Sequence, residues 1–335
     1  MAPRLAGPLL LISALAASGC ALVAPRLDAG GAPPARVWKT TVILHGASLN
    51  LHLAEPRLPV PRALVVYASG DGGWFGTATS MFRGIAGDGY ATAGFSARAF
   101  LHIERPSHAA LDGRQLAADY GVILSRARAA FGLASDTPAI LAGWSRGAAF
   151  AVIAGSEPAL RAQVRGVLAI GLGDGEDLAV DEMADDDTVA ADPAAGARRW
   201  PFDTYDRLKG IEPIRAAVIQ ATGDQYLPAT RARSLFGSDT STRRFFEIRA
   251  GNHRFSGGTA TFSAVLAAAL SWIASGGPPA TPSAARPTDP LSPPVRGGFR
   301  RALAAPAPRD DRDPSGESGA PASAWAGCSR AGSGR

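Results

Sequence analysis

Ser145, in the middle of the chain, has the sequence surroundings of a nucleophile. It follows the apolar stretch 139–142 and lies between Gly143 and Gly147 in a Gly-x-Ser-x-Gly pattern that leads into a helix-forming stretch. In this pattern a tight strand-to-helix turn lifts the serine hydroxyl above the sheet edge, and the glycines leave room for the neighbouring strand and helix. The spacing therefore predicts that Ser145 attacks an acyl carbon.

A carboxylate and a histidine follow Ser145 in the chain order that such a nucleophile requires. The chain has five histidines, and only His253 lies beyond Ser145. Asp224 follows the apolar run 216–221, at the carboxyl end of a predicted strand, where open parallel sheets carry their active sites. We predict that His253 transfers the proton and that Asp224 orients the imidazole ring and stabilises its charged form.

A glycine-rich loop supplies the predicted oxyanion hole. Residues 69–74 read Ser-Gly-Asp-Gly-Gly-Trp and follow the strand-like run 63–68. One backbone N–H donor is expected from Arg146, directly after the nucleophile, and a second from either Asp71 or Gly72 in this loop. The loop is too short for a phosphate-binding P-loop and lacks its lysine, so we exclude nucleotide binding.

Four strings of the sequence carry a family resemblance: the loop 69–74, the segment 89–100 with Arg98 and Phe100, the elbow at Ser145, and residues 252–255 around His253. Together they resemble the VirJ/AcvB family of bacterial periplasmic α/β-hydrolases, over residues 62–273. The resemblance implies cleavage of the aminoacyl ester of aminoacyl-phosphatidylglycerol, alanyl or lysyl, in the cell envelope. It also implies Ser145, Asp224 and His253 as the catalytic triad, with the oxyanion loop at 70–73.

The elbow departs from the usual Gly-Tyr-Ser-Phe-Gly of that family, because Trp144 and Arg146 flank the serine. The aromatic pair expected after Arg98 is reduced to Phe100. Arg146 would place a cation beside the acyl site, which favours a phosphate-bearing or neutral aminoacyl substrate over a lysyl head group. The alternative is that the Arg146 side chain points away and only its backbone serves the reaction.

The amino terminus has the pattern of a bacterial export signal. Arg4 precedes the apolar run 9–17, and Ser18-Gly19-Cys20 follows it. The run is too short for a transmembrane helix, which needs about 20 apolar residues, so we predict export and cleavage. Cys20 resembles the acylated cysteine of a lipobox, which predicts a periplasmic protein anchored by lipid to the outer membrane. The alternative is a soluble periplasmic protein after simple signal cleavage.

Cysteine and histidine usage excludes other classes of site. Cys20 and Cys328 are the two cysteines of the chain, so the sequence predicts neither a disulfide framework nor a thiolate zinc site. Metal-ligand spacings of histidine are also absent from the sequence, and we predict no metal and no cofactor. The net charge of +5 suits a protein close to anionic phosphatidylglycerol, and no nucleic-acid-binding motif accompanies it.

Composition divides the chain into segments. We predict a signal peptide at 1–20, a linker at 21–36, a hydrolase domain at 37–275, and a disordered Pro-, Gly- and Ala-rich tail at 276–335. Residues 173–209 form an acidic, cap-like insertion. It is either a solvated loop or a source of carboxylates that attract an ammonium group. Its acidic residues are Asp174, Glu176, Asp177, Asp181, Glu182, Asp185, Asp186 and Asp187.

Strand-like and helix-like runs alternate through the domain, which predicts an α/β-hydrolase fold with a doubly wound, mostly parallel sheet. The predicted strands are 40–44, 64–68, 91–95, 139–142, 166–170, 217–221 and 243–248. The predicted helices are 77–88, 109–131, 147–155, 229–236 and 259–273.

The patterns favour a serine hydrolase, and the resemblance implies that it cleaves an aminoacyl ester on a membrane lipid through an aminoacyl-serine intermediate. Two alternatives stay open at this point. One is a general esterase or lipase, and the other is a non-catalytic lipoprotein that scaffolds a secretion or envelope complex with a protein partner.

Overall fold

An eight-stranded sheet forms the centre of the protein. The computed structural model describes residues 32–103, 111–178 and 201–276. In spatial order the strands are β1 (Arg36–Leu44), β2 (Ala47–Glu55), β4 (Ala91–Phe95), β3 (Leu64–Ala68), β5 (Ala139–Trp144), β6 (Gly166–Ile170), β9 (Arg215–Ala221) and β10 (Arg243–Ile248). The β1–β2 and β2–β4 pairs are antiparallel, and the other neighbours are parallel.

Helices cover both faces of this sheet, so β3, β4, β5 and β6 are buried at every position. Buried parallel strands of this kind are apolar throughout rather than alternating. The helices are α1 (Thr77–Gly87), α2 (Ala97–Leu101), α3 (Gly113–Phe131), α4 (Arg146–Ser156), α5 (Pro158–Arg161), α6 (Thr204–Lys209), α7 (Ala229–Phe236) and α8 (Thr259–Ala274). One core lies under α3, α4 and α7, and the other lies under α1 and α8.

Helix α4 is the most enclosed of these helices. Residues 147–155 are all buried, and α4 contacts β3, β5, β6 and the helix α3. Its sequence is rich in alanine and glycine, and such small side chains let the helix axis approach the sheet closely. The residue before α4 is therefore held rigidly against the carboxyl ends of the central strands.

The predicted α/β-hydrolase fold is confirmed, and all predicted strands and helices have counterparts in the structure. The predicted bounds of β3, β4, β6, β10 and α7 agree with those observed. The helix predicted from 109 begins instead at Gly113, because the Asp112 side chain accepts a hydrogen bond from the amide of Gln115 and caps it.

The prediction was wrong in omitting β2, which forms an edge hairpin with β1. Strand β2 pairs with the whole of β1, and the turn between them contains His45 and Gly46, with φ of 52° and 83°. In β2 the leucines at 49, 51 and 53 are buried, whereas Ser48 before them and Asn50 between them are exposed. This alternation is the ordinary sign of a half-buried strand. The short helices α2, α5 and α6 were also not predicted.

The two ends of the predicted insertion at 173–209 have regular structure. The short strand β7 (Gly175–Glu176) pairs antiparallel with β8 (Phe202–Asp203), and α6 follows directly. Residues 179–200 lie outside the described part of the chain, as do Cys20, Cys328 and the predicted signal and tail. Within the described ranges, no helix has the length and hydrophobicity needed to cross a membrane.

Candidate active site

Ser145 lies at a sharp turn between β5 and α4. Its backbone has φ of 57° and ψ of −126°, a conformation that L-residues rarely adopt and that is often retained at functional sites. Its amide donates to the carbonyl of Ile170 at the end of β6, at 2.9 Å. The turn therefore holds the serine at the carboxyl edge of the sheet, where the sequence pattern placed it.

Three glycines make this turn possible, and each faces backbone or the serine itself. A Cβ at Gly143 would overlap the carbonyl of Gly147, and a Cβ at Gly147 would overlap the carbonyl of Ala68 in β3. In the loop after β3, a Cβ at Gly70 would lie 2.9 Å from the Cβ of Ser145 and 3.5 Å from its Oγ. The oxyanion loop thus passes directly over the predicted nucleophile.

The structure brings Asp224 and His253 into contact, although they are far apart in the chain. Nδ1 of His253 donates to Oδ2 of Asp224 at 2.7 Å, and both side chains are buried. The other carboxylate oxygen accepts from the backbone amide of Tyr226 at 3.0 Å. Gln220, in β9, donates through Nε2 to Oδ2 of Asp224 at 3.0 Å. These hydrogen bonds orient the carboxylate on the imidazole.

The imidazole ring also lies beside the serine elbow. The Trp144 ring stacks on it with centroids 5.5 Å apart, and the Trp144 indole N–H donates to the carbonyl of His253 at 3.3 Å. Gly171, next to the Ile170 that binds the Ser145 amide, gives the ring its space, since a Cβ there would lie 2.7 Å from Cε1 of His253. These two residues, which contact the His253 ring, are thus adjacent in the chain to Ser145 and to its hydrogen-bond partner Ile170.

The second ring nitrogen of His253 is buried and unbonded. Nε2 has no hydrogen-bond partner among the described residues, so Ser145 Oγ does not donate to it in this conformation. Burial of a polar nitrogen without a partner is costly and rare in native proteins. The structure therefore pairs Asp224 with His253 and places Ser145 in the same neighbourhood, with no hydrogen bond between the serine hydroxyl and the imidazole.

Trp74 anchors the oxyanion loop to the antiparallel side of the sheet. Its ring stacks on His52 of β2, with centroids 4.2 Å apart, and covers Gly94 of β4, where a Cβ would overlap it. Burial, and to a lesser degree the charge of Lys39, lowers the pKa of His52 to about 4, so this stack is neutral near pH 7. The loop 69–74 therefore packs against residues 89–94, the first part of the segment 89–100 noted in the sequence.

The predicted oxyanion donors lie around this loop. The Gly73 amide donates to the carbonyl of Gly70 at 3.1 Å, which closes a turn with Asp71 and Gly72 at its corners. Arg146 is the first residue of α4, and the first amides of a helix have no intrahelical acceptor. Assignment of these three amides to the oxyanion remains a prediction.

The Arg146 side chain lies between two carboxylates. Its Nε lies 2.9 Å from Oδ1 of Asp71 and 3.3 Å from Oε2 of Glu176. The guanidinium is largely covered, so it neither points into solvent nor faces the site as an uncompensated cation. The Arg146–Asp71–Glu176 cluster instead joins the elbow, the oxyanion loop and the first residues of the acidic insertion.

Glu176 is the buried member of this cluster. Its Oε1 accepts from the backbone amides of Asp177 and Leu178, at 3.1 and 3.0 Å. Burial raises the pKa of Glu176 to about 7, against the opposing effect of the Arg146 charge. Among the carboxylates that the sequence offered for ammonium binding, this one is therefore enclosed and bound to the protein.

Sequence reasoning missed several side chains that support the site. Gln220 is a buried amide within the otherwise apolar strand β9, and that isolated polar residue was a usable signal. Gln225 accepts the His253 amide through Oε1 at 3.0 Å, for which the sequence held no sign. Within the described ranges, no group of three or more His, Cys, Asp or Glu side chains is arranged to hold a metal ion.

We expect Gly147→Ala to destabilise the protein by about 3 kcal/mol or more, because the new methyl group would overlap the main chain of β3. Urea unfolding followed by circular dichroism would measure the loss. The control is Gly121→Ala in α3, where a Cβ meets no atom within 4 Å and where alanine should stabilise the helix by about 0.5–1 kcal/mol. Equal stability of the two variants would contradict the close approach of α4 to the sheet.

Glu176 should make stability depend on pH. Its pKa is about 7 in the folded protein against 4.5 as the ordinary value, so between these values the folded state holds a proton that the unfolded state has lost. Stability from this group is therefore present at low pH and lost as pH rises through 7.

We expect the free energy of unfolding of Glu176→Gln, relative to that of the wild type, to rise by about 2–3 kcal/mol as the pH increases from 5 to 8. Urea titrations across this range would measure the difference. The same change at the exposed Glu247 controls for the loss of one carboxylate. A difference between Glu176→Gln and wild type that does not vary with pH would contradict the interpretation.

Solved structures share this fold at low sequence identity. A putative dienelactone hydrolase from Klebsiella pneumoniae has a TM-score of 0.50 at 13% identity, over 72% of this chain and 98% of its own. An esterase from Pyrococcus furiosus has a TM-score of 0.51 at 12% identity, over 71% and 93%. The protein DcsB, solved with a substrate analogue, has a TM-score of 0.52 at 12% identity, over 71% and 98%.

No protein-family model and no curated protein matches the sequence. At the identities of these solved structures, the likeness concerns the course of the backbone. The sheet order, the helices on both faces and these structural neighbours agree, and the chain has the α/β-hydrolase fold.

Proposed function

We propose that the protein is a serine hydrolase that cleaves carboxylic esters through an acyl-Ser145 intermediate. One observation carries the proposal: His253 binds Asp224 through Nδ1, while its buried Nε2 has no partner among the described residues. A structural histidine would be expected to satisfy both nitrogens. An unsatisfied nitrogen next to a strained serine elbow instead suits a proton acceptor that waits for its donor.

A rotation of the Ser145 side chain would complete the relay. The backbone of Ser145 is fixed by its neighbours, but rotation about χ1 moves Oγ without disturbing them. Catalytic hydrogen bonds are often long or misaligned in free enzymes and shorten when substrate is bound. We therefore infer that substrate binding, by excluding water from the elbow, favours the rotamer in which Oγ donates to Nε2.

The chemistry then follows from the placement of the groups. Ser145 Oγ attacks the ester carbonyl carbon as its proton passes to His253, and Asp224 stabilises the imidazolium. The negative carbonyl oxygen is stabilised by amides of the oxyanion loop and of Arg146, together with the positive end of α4. Collapse expels the alcohol, which takes the proton from His253. Water deprotonated by the same histidine attacks the acyl-serine, and the free acid leaves.

The substrate we propose is the aminoacyl ester of aminoacyl-phosphatidylglycerol, alanyl or lysyl. The support is the set of sequence strings that resemble the VirJ/AcvB family, of which 69–74 and 89–94 pack as one unit here. The predicted lipid anchor at Cys20 would keep the enzyme at a membrane surface of the envelope, where an insoluble substrate is present. An envelope or secretion-system protein partner belongs to the same proposal.

A general esterase is the second candidate, and one observation favours it. Phe75, directly after the oxyanion loop, is 69% exposed, and Tyr226, whose ring contacts His253 edge-on at 5.0 Å, is 49% exposed. Exposed aromatic side chains near a reactive centre can bind the apolar part of an ester. Such a surface would serve simple acyl esters as well as the diacylglycerol part of a lipid.

We expect Ser145→Ala to lower kcat for a p-nitrophenyl ester at least about 1,000-fold, because the acyl-enzyme can no longer form. A fluorophosphonate probe should label the wild type at Ser145, as mapped by peptide mass spectrometry, and leave the variant unlabelled. Ser125→Ala on α3, an exposed serine away from the elbow, is the matched control and should keep both properties. A folded wild type that the probe does not label at Ser145 would support the scaffolding alternative and overturn the hydrolase.

The lipid assignment needs a separate measurement. Vesicles that contain alanyl- or lysyl-phosphatidylglycerol should release the free amino acid with wild type and not with Ser145→Ala. Amino acid release would be quantified beside hydrolysis of p-nitrophenyl butyrate. Turnover of the simple ester without any release from either lipid would leave the general esterase as the function and reject the aminoacyl-lipid substrate.

A further inference from the structure

Asp71, at the corner of the oxyanion turn, has a carboxylate that neither acylation nor deacylation uses. Its side chain is 51% exposed, and its Oδ1 lies 2.9 Å from Nε of Arg146. The backbone of the same residue is one of the predicted oxyanion donors. An accessible charge is thus attached to the loop that contacts the reacting atoms.

The two carboxylates of the Arg146–Asp71–Glu176 cluster differ in access. Glu176 is enclosed, binds two backbone amides and carries a raised pKa of about 7. When Glu176 is ionised, the cluster has one more negative than positive charge, and when Glu176 is protonated, Asp71 alone balances Arg146. In neither state does the cluster have a net positive charge. Of its two carboxylates, Asp71 is the more exposed.

The charge of Asp71 lies near the place that the acyl part of a substrate would occupy at Ser145. Gly70, before it, lies against Ser145, and Arg146, which its carboxylate approaches, directly follows Ser145. The Asp71 side chain therefore reaches from the loop that lies against Ser145 to Arg146, the residue that follows Ser145. A substituent on the α-carbon of the acyl group lies about 2.5 Å from the carbonyl carbon. It would therefore lie near this loop.

We propose that Asp71 is a specificity-determining residue that selects esters with an ammonium group on the α-carbon of the acyl part. The inference rests on the proposed role of Ser145 as nucleophile, and it defines the substrate class of that site by charge. A carboxylate offers about four lone-pair positions, so Asp71 can accept from the ammonium while it still binds Arg146. An anionic acyl group would be disfavoured at the same place.

The test compares two substrates that differ by the ammonium group alone: the p-nitrophenyl esters of L-alanine and of propionic acid, at a pH at which the amine is protonated. The measured quantity is the ratio of kcat/KM for the two esters. Comparing this ratio between proteins cancels the intrinsic reactivity of the esters. We expect Asp71→Asn, which keeps the backbone donor and the side-chain shape, to lower the ratio about 10- to 100-fold, as for loss of a charge-assisted hydrogen bond.

Glu176→Gln is the matched control, because it also removes one carboxylate from Arg146 but at an enclosed position. It should alter both rates by a common factor and change the ratio less than about threefold. A fall of both rates by the same factor in Asp71→Asn would overturn the inference and leave Asp71 as a residue that only positions the loop. An equal change of the ratio in Glu176→Gln would also overturn it, since general charge would then explain the selectivity.

Fluorophosphonate labelling separates this test from failure of the proposed function. If wild type is labelled at Ser145 and cleaves both esters, an unchanged ratio in Asp71→Asn rejects the selectivity and leaves the hydrolase intact. If wild type is neither labelled nor active on either ester, Ser145 is not a nucleophile and both proposals fall together. Labelling of Asp71→Asn at the wild-type rate would show that its serine elbow is still formed.

Discussion

The close approach of the first turn of α4 to β3 and β5 is the constraint on which the site depends. The Gly143 and Gly147 contacts leave no space for a methyl group, and this forces the intervening Ser145 into a backbone conformation with positive φ. Because helix, strand and loop meet at main-chain atoms, the position of the serine is set by backbone packing rather than by flexible side chains.

Two polar groupings flank the elbow, and they differ in composition and in burial. On one side, Asp224 and His253 are buried together. Hydrogen bonds from Gln220 and from the backbone replace those that the Asp224 carboxylate would make to water. On the other side, Arg146 joins the oxyanion loop to the insertion through carboxylates of unequal burial. The proposed role of the first grouping is proton transfer, and the proposed role of the second is to set the charge beside the acyl group.

Much of this arrangement could be predicted from the sequence, because the parallel strands are apolar runs and the elbow has a steric signature. Chain order alone singled out His253, and the structure brings it onto Asp224. Strand β2 was missed although its alternation was readable. The pairing of Arg146 with Glu176, and the support of His253 by Gln225, depend on contacts between residues 28 or more positions apart, which no local pattern encodes.

The packing of the Trp74 ring determines how much of the chain is needed to hold the candidate site in place. The indole ring is enclosed by His52 from the edge hairpin as well as by Gly94 and Phe82. A shortened protein beginning at β3 would keep every candidate catalytic side chain. It would lose His52, however, which stacks on the Trp74 ring. The glycine-rich turn attached to Trp74 would then sample other shapes. We therefore expect the candidate site to depend on the hairpin, although the hairpin contributes none of the candidate catalytic side chains.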